Sequence, residues 1–102
     1  MLHTVNKSPY EKNSLQRCFE YATDGSPVLL IENGVYAVLA AGSHASMVEE
    51  AISQHQLRVY ALGSDLKLRG ISKEQMIAGV LVIDYVGFVN LAAESDKVQS
   101  WL

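Results

Sequence analysis

The chain has 102 residues, 49% of them apolar or aromatic, and a formal net charge of −3. That length is one domain, and an acidic balance without any basic run argues against a surface for direct nucleic-acid contact or an anionic membrane. The single cysteine, Cys18, excludes an internal disulfide and fits a thiol-reducing, cytoplasmic location.

The opening residues, Met1 to Asn6, carry no signal-peptide pattern, and the longest apolar stretch, Val35 to Ala41, is too short to cross a bilayer. A domain of this size buries only roughly two-thirds of the surface its unfolded chain exposes. The apolar supply therefore exceeds the needs of one small core. Either the core is unusually rich or another chain covers the excess.

No linker, repeat or low-complexity tract interrupts the sequence. Short β-like runs alternate with helical patterns, which predicts βαβ units around a mostly parallel sheet. Leu2 to Val5 is the first strand. Ser8-Pro9 then makes a turn, and Leu15, Cys18, Phe19 and Ala22 mark one helix face, starting at Asn13 or Ser14 and ending near Asp24-Gly25. Pro27 to Ile31 is continuously apolar, as a strand buried on both faces requires.

Gly34 to Ala41 has no polar face, which predicts deep burial or a subunit contact. Ser46 to His55 is a more ordinary helix, and Leu57 to Leu62 the third strand. Ser64 to Arg69 is a short helix ended by Gly70. Val80 to Ile83 is the fourth strand, Asp84 caps a helix that runs to Glu94, and Lys97 to Leu102 adds an edge strand.

Few residues offer chemistry. Cys18 lies on an apolar helical stripe, where cysteine serves as a small hydrophobe. As a nucleophile it needs exposure and a lowered pKa, with Arg17 and Lys12 the nearby cations in sequence. His3, His44 and His55 show no metal-ligand spacing with each other or with Cys18. His3 fits a hydrogen-bonded core or rim position. His44, in the Gly42-Ser43-His44 loop, is the more exposed of the two histidines that Cys18 could pair with through the fold.

The loop Asn6-Lys7-Ser8-Pro9 follows the first strand, where open α/β sheets bind ligands. It lacks the glycines of a dinucleotide or phosphate loop. Nor does it carry the acidic residues of a phosphoreceiver, which disfavours a flavodoxin-like ligand or signalling module. Trp101 suits packing on the sheet or the centre of an interface. No serine triad, acid pair, zinc motif or cofactor fingerprint is present, so an independent enzyme would rest on Cys18 alone.

Several segments together carry a resemblance. They are Met1-Leu2-His3-Thr4-Val5-Asn6-Lys7-Ser8-Pro9, Leu29 to Ala37, Val59 to Leu66, Arg69-Gly70, Ile83 to Val89 and Gln99-Ser100-Trp101-Leu102. In order and spacing, over nearly the whole chain, they resemble the DsrH/TusB family of sulfur-relay proteins. Cys18, Asn6-Lys7 and Val98 to Leu102 look more like the DsrH branch.

The resemblance implies a single DsrH-like domain over 1–102, a three-layer α/β/α fold with a mostly parallel sheet of four to five strands, and no cofactor or metal. It implies a cytoplasmic dimer of heterotrimers with DsrE-like and DsrF-like subunits, and a DsrC-like sulfur carrier as donor or acceptor. The cargo would be persulfide sulfur: in intracellular sulfur oxidation for the DsrH branch, in 2-thiouridine formation at the tRNA wobble position for the TusB branch.

The family's principal active cysteine resides on the E-like subunit (TusD in the second branch), and no residue here matches it. The resemblance therefore implies an auxiliary subunit, with Cys18 the one residue that could carry sulfur itself.

Overall fold

Five strands make one parallel sheet in the order β4-β3-β2-β1-β5, in a computed structural model that describes residues 1–102. The strands are β1 Leu2–Val5, β2 Pro27–Leu30, β3 Arg58–Leu62, β4 Leu81–Ile83 and β5 Val98–Trp101. Each lies within a residue or two of the run that predicts it. The helices are α1 Ser14–Tyr21, α2 Ala45–His55, α3 Gly63–Leu68 and α4 Tyr85–Glu94. Two 3₁₀ helices join them, η1 Glu32–Val38 and η2 Lys73–Gln75.

Strand alternation sorts the side chains into two faces. Val5, Val28, Leu30, Val59 and Ala61 point to one face and form a single core with Leu15, Cys18, Val35, Val38, Val48 and Leu66 from α1, η1, α2 and α3. Each such aliphatic side chain stabilises by roughly 1.5–3 kcal/mol when fully buried. The first three crossovers step the same way along the sheet, so right-handed connections put all their helices on this face. The last crossover returns past three strands to place β5 beside β1. Its helix, α4, therefore covers the other face alone. Gly87 sits against Ile83, and Leu91 and Glu94 lie beside Pro27 and Arg58. The result is the three-layer α/β/α arrangement that the family resemblance implies.

Of the two places expected for the all-apolar segment, Gly34, Val35, Ala37 and Val38 take deep burial. The segment forms a 3₁₀ helix, not an α-helix, and Val35, Ala37 and Val38 are at most 1% exposed within the chain's own core. Tyr36 and Leu39 are partly exposed, and Ala40 and Ala41 beyond the helix are exposed. Its valines are therefore spent on the chain's own core. Trp101 likewise packs on the core from β5. The sequence pattern does not anticipate η2, which a capping box between Ser72 and Gln75 starts, or the bridge pairing Leu39 with Met76.

Candidate functional site

Cys18 sits in the middle of α1, on the side that faces the sheet, and is 0% exposed. Burial pushes its thiol up to about 12. At neutral pH such a group is thiolate only on the order of one part in 10⁵, against a few per cent for a free cysteine. Neither histidine activates it. His3 accepts a hydrogen bond from Trp101, and His44 lies against Ser43 and the Tyr10 ring. The Cys–His pair considered from sequence does not form. The candidate carrier thus lacks both the access and the lowered pKa that sulfur exchange needs. We expect a thiol-specific reagent to label Cys18 at least a hundredfold more slowly in the native chain than in urea. Comparable rates would show that α1 opens readily.

At β1 and β5, where the strand order reverses, the strand ends that could take a ligand are filled by the chain itself. Val5, the last residue of β1, pairs with Trp101. Ser14, at the start of α1, donates to the Leu102 carbonyl at 3.1 Å. Trp101 Nε1 donates to His3 Nδ1 at 3.1 Å, and Tyr21 packs edge-on against both rings.

The Trp101 bond requires an unprotonated His3 Nδ1. Burial first, and the N-terminal ammonium second, lower the pKa of His3. The unfolded chain therefore binds this proton more readily. The stabilisation is complete above about pH 6.5 and is lost as pH falls through and below that value. Urea midpoints, read by the fluorescence of the lone tryptophan, should fall between pH 7 and pH 5. His3→Phe should flatten that slope whatever it costs at pH 7, and an unchanged slope would reject the assignment.

Three of the matching segments meet beyond the ends of β2 and β3. Arg69 donates from Nε and Nη2 to Asn33 Oδ1 at 3.1 and 3.0 Å, and from Nη1 to Asp65 Oδ1 at 3.3 Å. Its guanidinium also lies over the Tyr36 ring. The other Asp65 oxygen accepts from the Glu32 amide at 2.7 Å, which holds Glu32 at a φ of +50°, a conformation non-glycine residues adopt at a cost. These groups bolt the start of η1 to α3. Spacing alone does not reveal the cluster, although Asn33, Tyr36, Asp65 and Arg69 all fall in the segments that carry the family resemblance. Because Arg69 has all three donor groups engaged, the cluster works as a bracket, not as an anion site. Asp84 is a cap, as predicted, accepting from Gly87 at 2.8 Å. No group of three or more His, Cys, Asp or Glu side chains is placed to hold a metal.

The remaining feature is a surface. From Tyr85 to Ala93, α4 has no charged residue, yet Tyr85, Val86 and Val89 are 69%, 64% and 47% exposed. Leu81 and Val82 of the edge strand β4 are also about half exposed. Exposed apolar area of this kind, gathered on one element, marks interaction sites. No helix is long and apolar enough to cross a membrane.

Fold and surface together define an α/β domain of the doubly covered parallel-sheet class, with the ends of β1 and β5 closed and an apolar helix facing outward. The family model described as "DsrH like protein" matches residues 7–98. The protein TusB of Pectobacterium parmentieri is 32% identical over 101 residues, 99% of this chain and 100% of its own. That of Shigella flexneri is 29% identical over the same span and coverage. Among solved structures, the ychN protein of E. coli superposes with a TM-score of 0.78 at 20% identity, over 97% of each chain. A protein of unknown function from Methanobacterium thermoautotrophicum gives 0.74 at 16% identity, over 97% of this chain and 96% of its own. At these identities the structural likeness speaks for the fold. The chain belongs to the DsrH/TusB family of sulfur-relay proteins.

Proposed function

We propose that this chain is an auxiliary subunit of a sulfur-transfer hetero-oligomer, a dimer of heterotrimers with DsrE-like and DsrF-like chains, and that the persulfide travels on a cysteine of another subunit. The observation that carries the reading is the outward apolar face of α4, continuous with the β4 edge. A face without charge on a chain of this size loses free energy in water and gains it under a partner. The closed state of Cys18 supports placing the reactive thiol elsewhere. Co-expression with DsrE-like and DsrF-like chains should give one complex by size-exclusion chromatography with light scattering. A chain that elutes as a monomer beside its co-expressed partners would end this reading.

The process we favour is intracellular sulfur oxidation, with a DsrC-like protein exchanging sulfur with the complex. It rests on the DsrH-like features Asn6-Lys7, Cys18 and Val98 to Leu102. They lie on or beside β1, α1 and β5, and β5 pairs with β1. The whole-length likeness to TusB proteins favours a second reading, a relay towards thiolated wobble uridine in tRNA. Deleting the gene separates the two. Stored sulfur that persists with normal 2-thiouridine fits the first, and loss of 2-thiouridine fits the second.

A Cys18-dependent sulfurtransferase is the third reading. Cys18→Ala should leave relay flux within about twofold of wild type. A stoichiometric sulfur adduct on Cys18 by mass spectrometry, together with loss of flux in the variant, would instead make Cys18 the carrier.

A further inference from the structure

The helix layer opposite α4 is not closed. α1 and α2 run side by side in the same direction: the Tyr10 ring before α1 meets His44 before α2 at 4.7 Å, and the Gly25 amide after α1 donates to the His55 carbonyl at the end of α2. Between them lies a groove of about 770 Å³. Its floor is Phe19, Ala22, Met47 and Ala51. Alanine at two of these positions leaves the space between the helices unfilled, and the methionine offers a deformable apolar surface of the kind used for docking.

The charge around this floor is one-sided. Glu20, Glu50 and Asp24 line the groove, and no lysine or arginine does. Its one other ionisable group, His55, is hydrogen-bonded to Asp24 at 3.3 Å. Because the two helices are parallel, both C-termini point to this same end, and their terminal carbonyls add partial negative charge. Neither Glu20 nor Glu50 has an ion-pair partner within the chain. The smaller hollow that continues the groove past Gln16 carries both Glu11 and Lys12, so the negative field belongs to one end.

We propose that this groove docks an amphipathic helical segment of a partner protein, with apolar side chains on Phe19 and Met47 and lysines or arginines against Glu20, Glu50 and Asp24. Flanked by α2, which is 11 residues long, it suits a helix of about three turns. It lies on the sheet face opposite α4, so it stays open when α4 is covered. The inference therefore stands whether or not the assembly proposed above forms.

The test uses the full ¹⁵N-labelled chain and two synthetic 14-residue helical peptides of identical pattern, one Leu/Lys and one Leu/Glu. The Leu/Lys peptide should shift the amides of Phe19, Met47 and Ala51, and the Leu/Glu peptide should not. Glu20→Gln/Glu50→Gln, at two exposed positions that make no fold contact of note, should weaken the Leu/Lys peptide at least tenfold. Raising the salt tenfold should weaken it as well. No binding, equal binding by the double variant, or shifts centred on α4 would each overturn the proposal.

Discussion

Val86→Asp/Val89→Asp should abolish assembly with the DsrE-like and DsrF-like chains and leave the isolated chain folded. Both valines are about half or more exposed on α4, so each carboxylate stays in water in the free chain. Substitutions at such sites usually change stability by less than about 0.5 kcal/mol. Position 86 lies in the first turn of the helix, where a negative charge favours the helix dipole. Under a partner the balance reverses. Each carboxylate loses its hydration without gaining a cation, and an unpaired buried charge costs several kcal/mol. Two of them exceed what a typical interface can spare, since a thousandfold loss of affinity is about 4 kcal/mol. The free variant should keep its urea midpoint, while light scattering shows the partners without it and sulfur transfer through the complex falls at least a hundredfold. Co-purification at wild-type stoichiometry would move the interface away from α4.

The strands were legible because their signals are local. β2 is a continuous apolar run, and its four residues are all buried. α4 announced itself through Asp84, whose side chain caps the helix as its position suggests. What local pattern could not give was the destination of apolar surface. Val35 to Val38 and Val86 to Val89 are equally apolar in sequence. The first packs inside the domain under α3 and β3, and the second faces outward. The difference lies in the crossovers: three of them crowd one face of the sheet, and the fourth leaves α4 alone on the other. Only the strand order reveals that, and strand order is set by contacts distant in sequence.

The same limit applied to chemistry. Cys18 stood on an apolar stripe, which permitted both a buried and a reactive thiol; its surroundings, contributed by strands far along the chain, settled its exposure in this fold. The bracket of Asn33, Asp65 and Arg69 joins residues more than thirty positions apart, and the groove between α1 and α2 belongs to neither helix alone. Asp84 could be judged from its position because capping needs no distant partner, whereas Trp101 fitted both the sheet and an interface until its partner His3 was seen. For His3 the sequence left core or rim open; the structure buries it, and its bond to Trp101 depends on β5 returning to β1.

Gly34→Ala should be the most damaging single methyl in the chain. Gly34 is buried in η1, directly over the end of β1, and a Cβ built there runs into the carbonyl oxygen of Val5, with the Val5 carbon at 3.0 Å. Both obstacles are backbone, so no side chain can swing aside. The Val5 oxygen is also held from the other side of the turn, where it accepts from the Ile31 amide at 3.0 Å. To admit the methyl, η1 must lift off the sheet, which separates Val35 and Val38 from the core and pulls Asn33 away from Arg69. Overpacking in a rigid core costs about 1–3 kcal/mol. Loss of part of the bracket adds to that, and the total is a large share of the roughly 5–10 kcal/mol that holds a domain of this size.

Gly25→Ala is the control. That residue has a φ of +85° with open space around its Cβ position, so strain alone acts there, at about 1 kcal/mol. Urea denaturation should therefore place the Gly34 variant well below the Gly25 variant, with assembly falling in the same order. If the two midpoints coincide, η1 can slide over β1 without cost, and the close approach of these two segments is not what requires glycine at position 34.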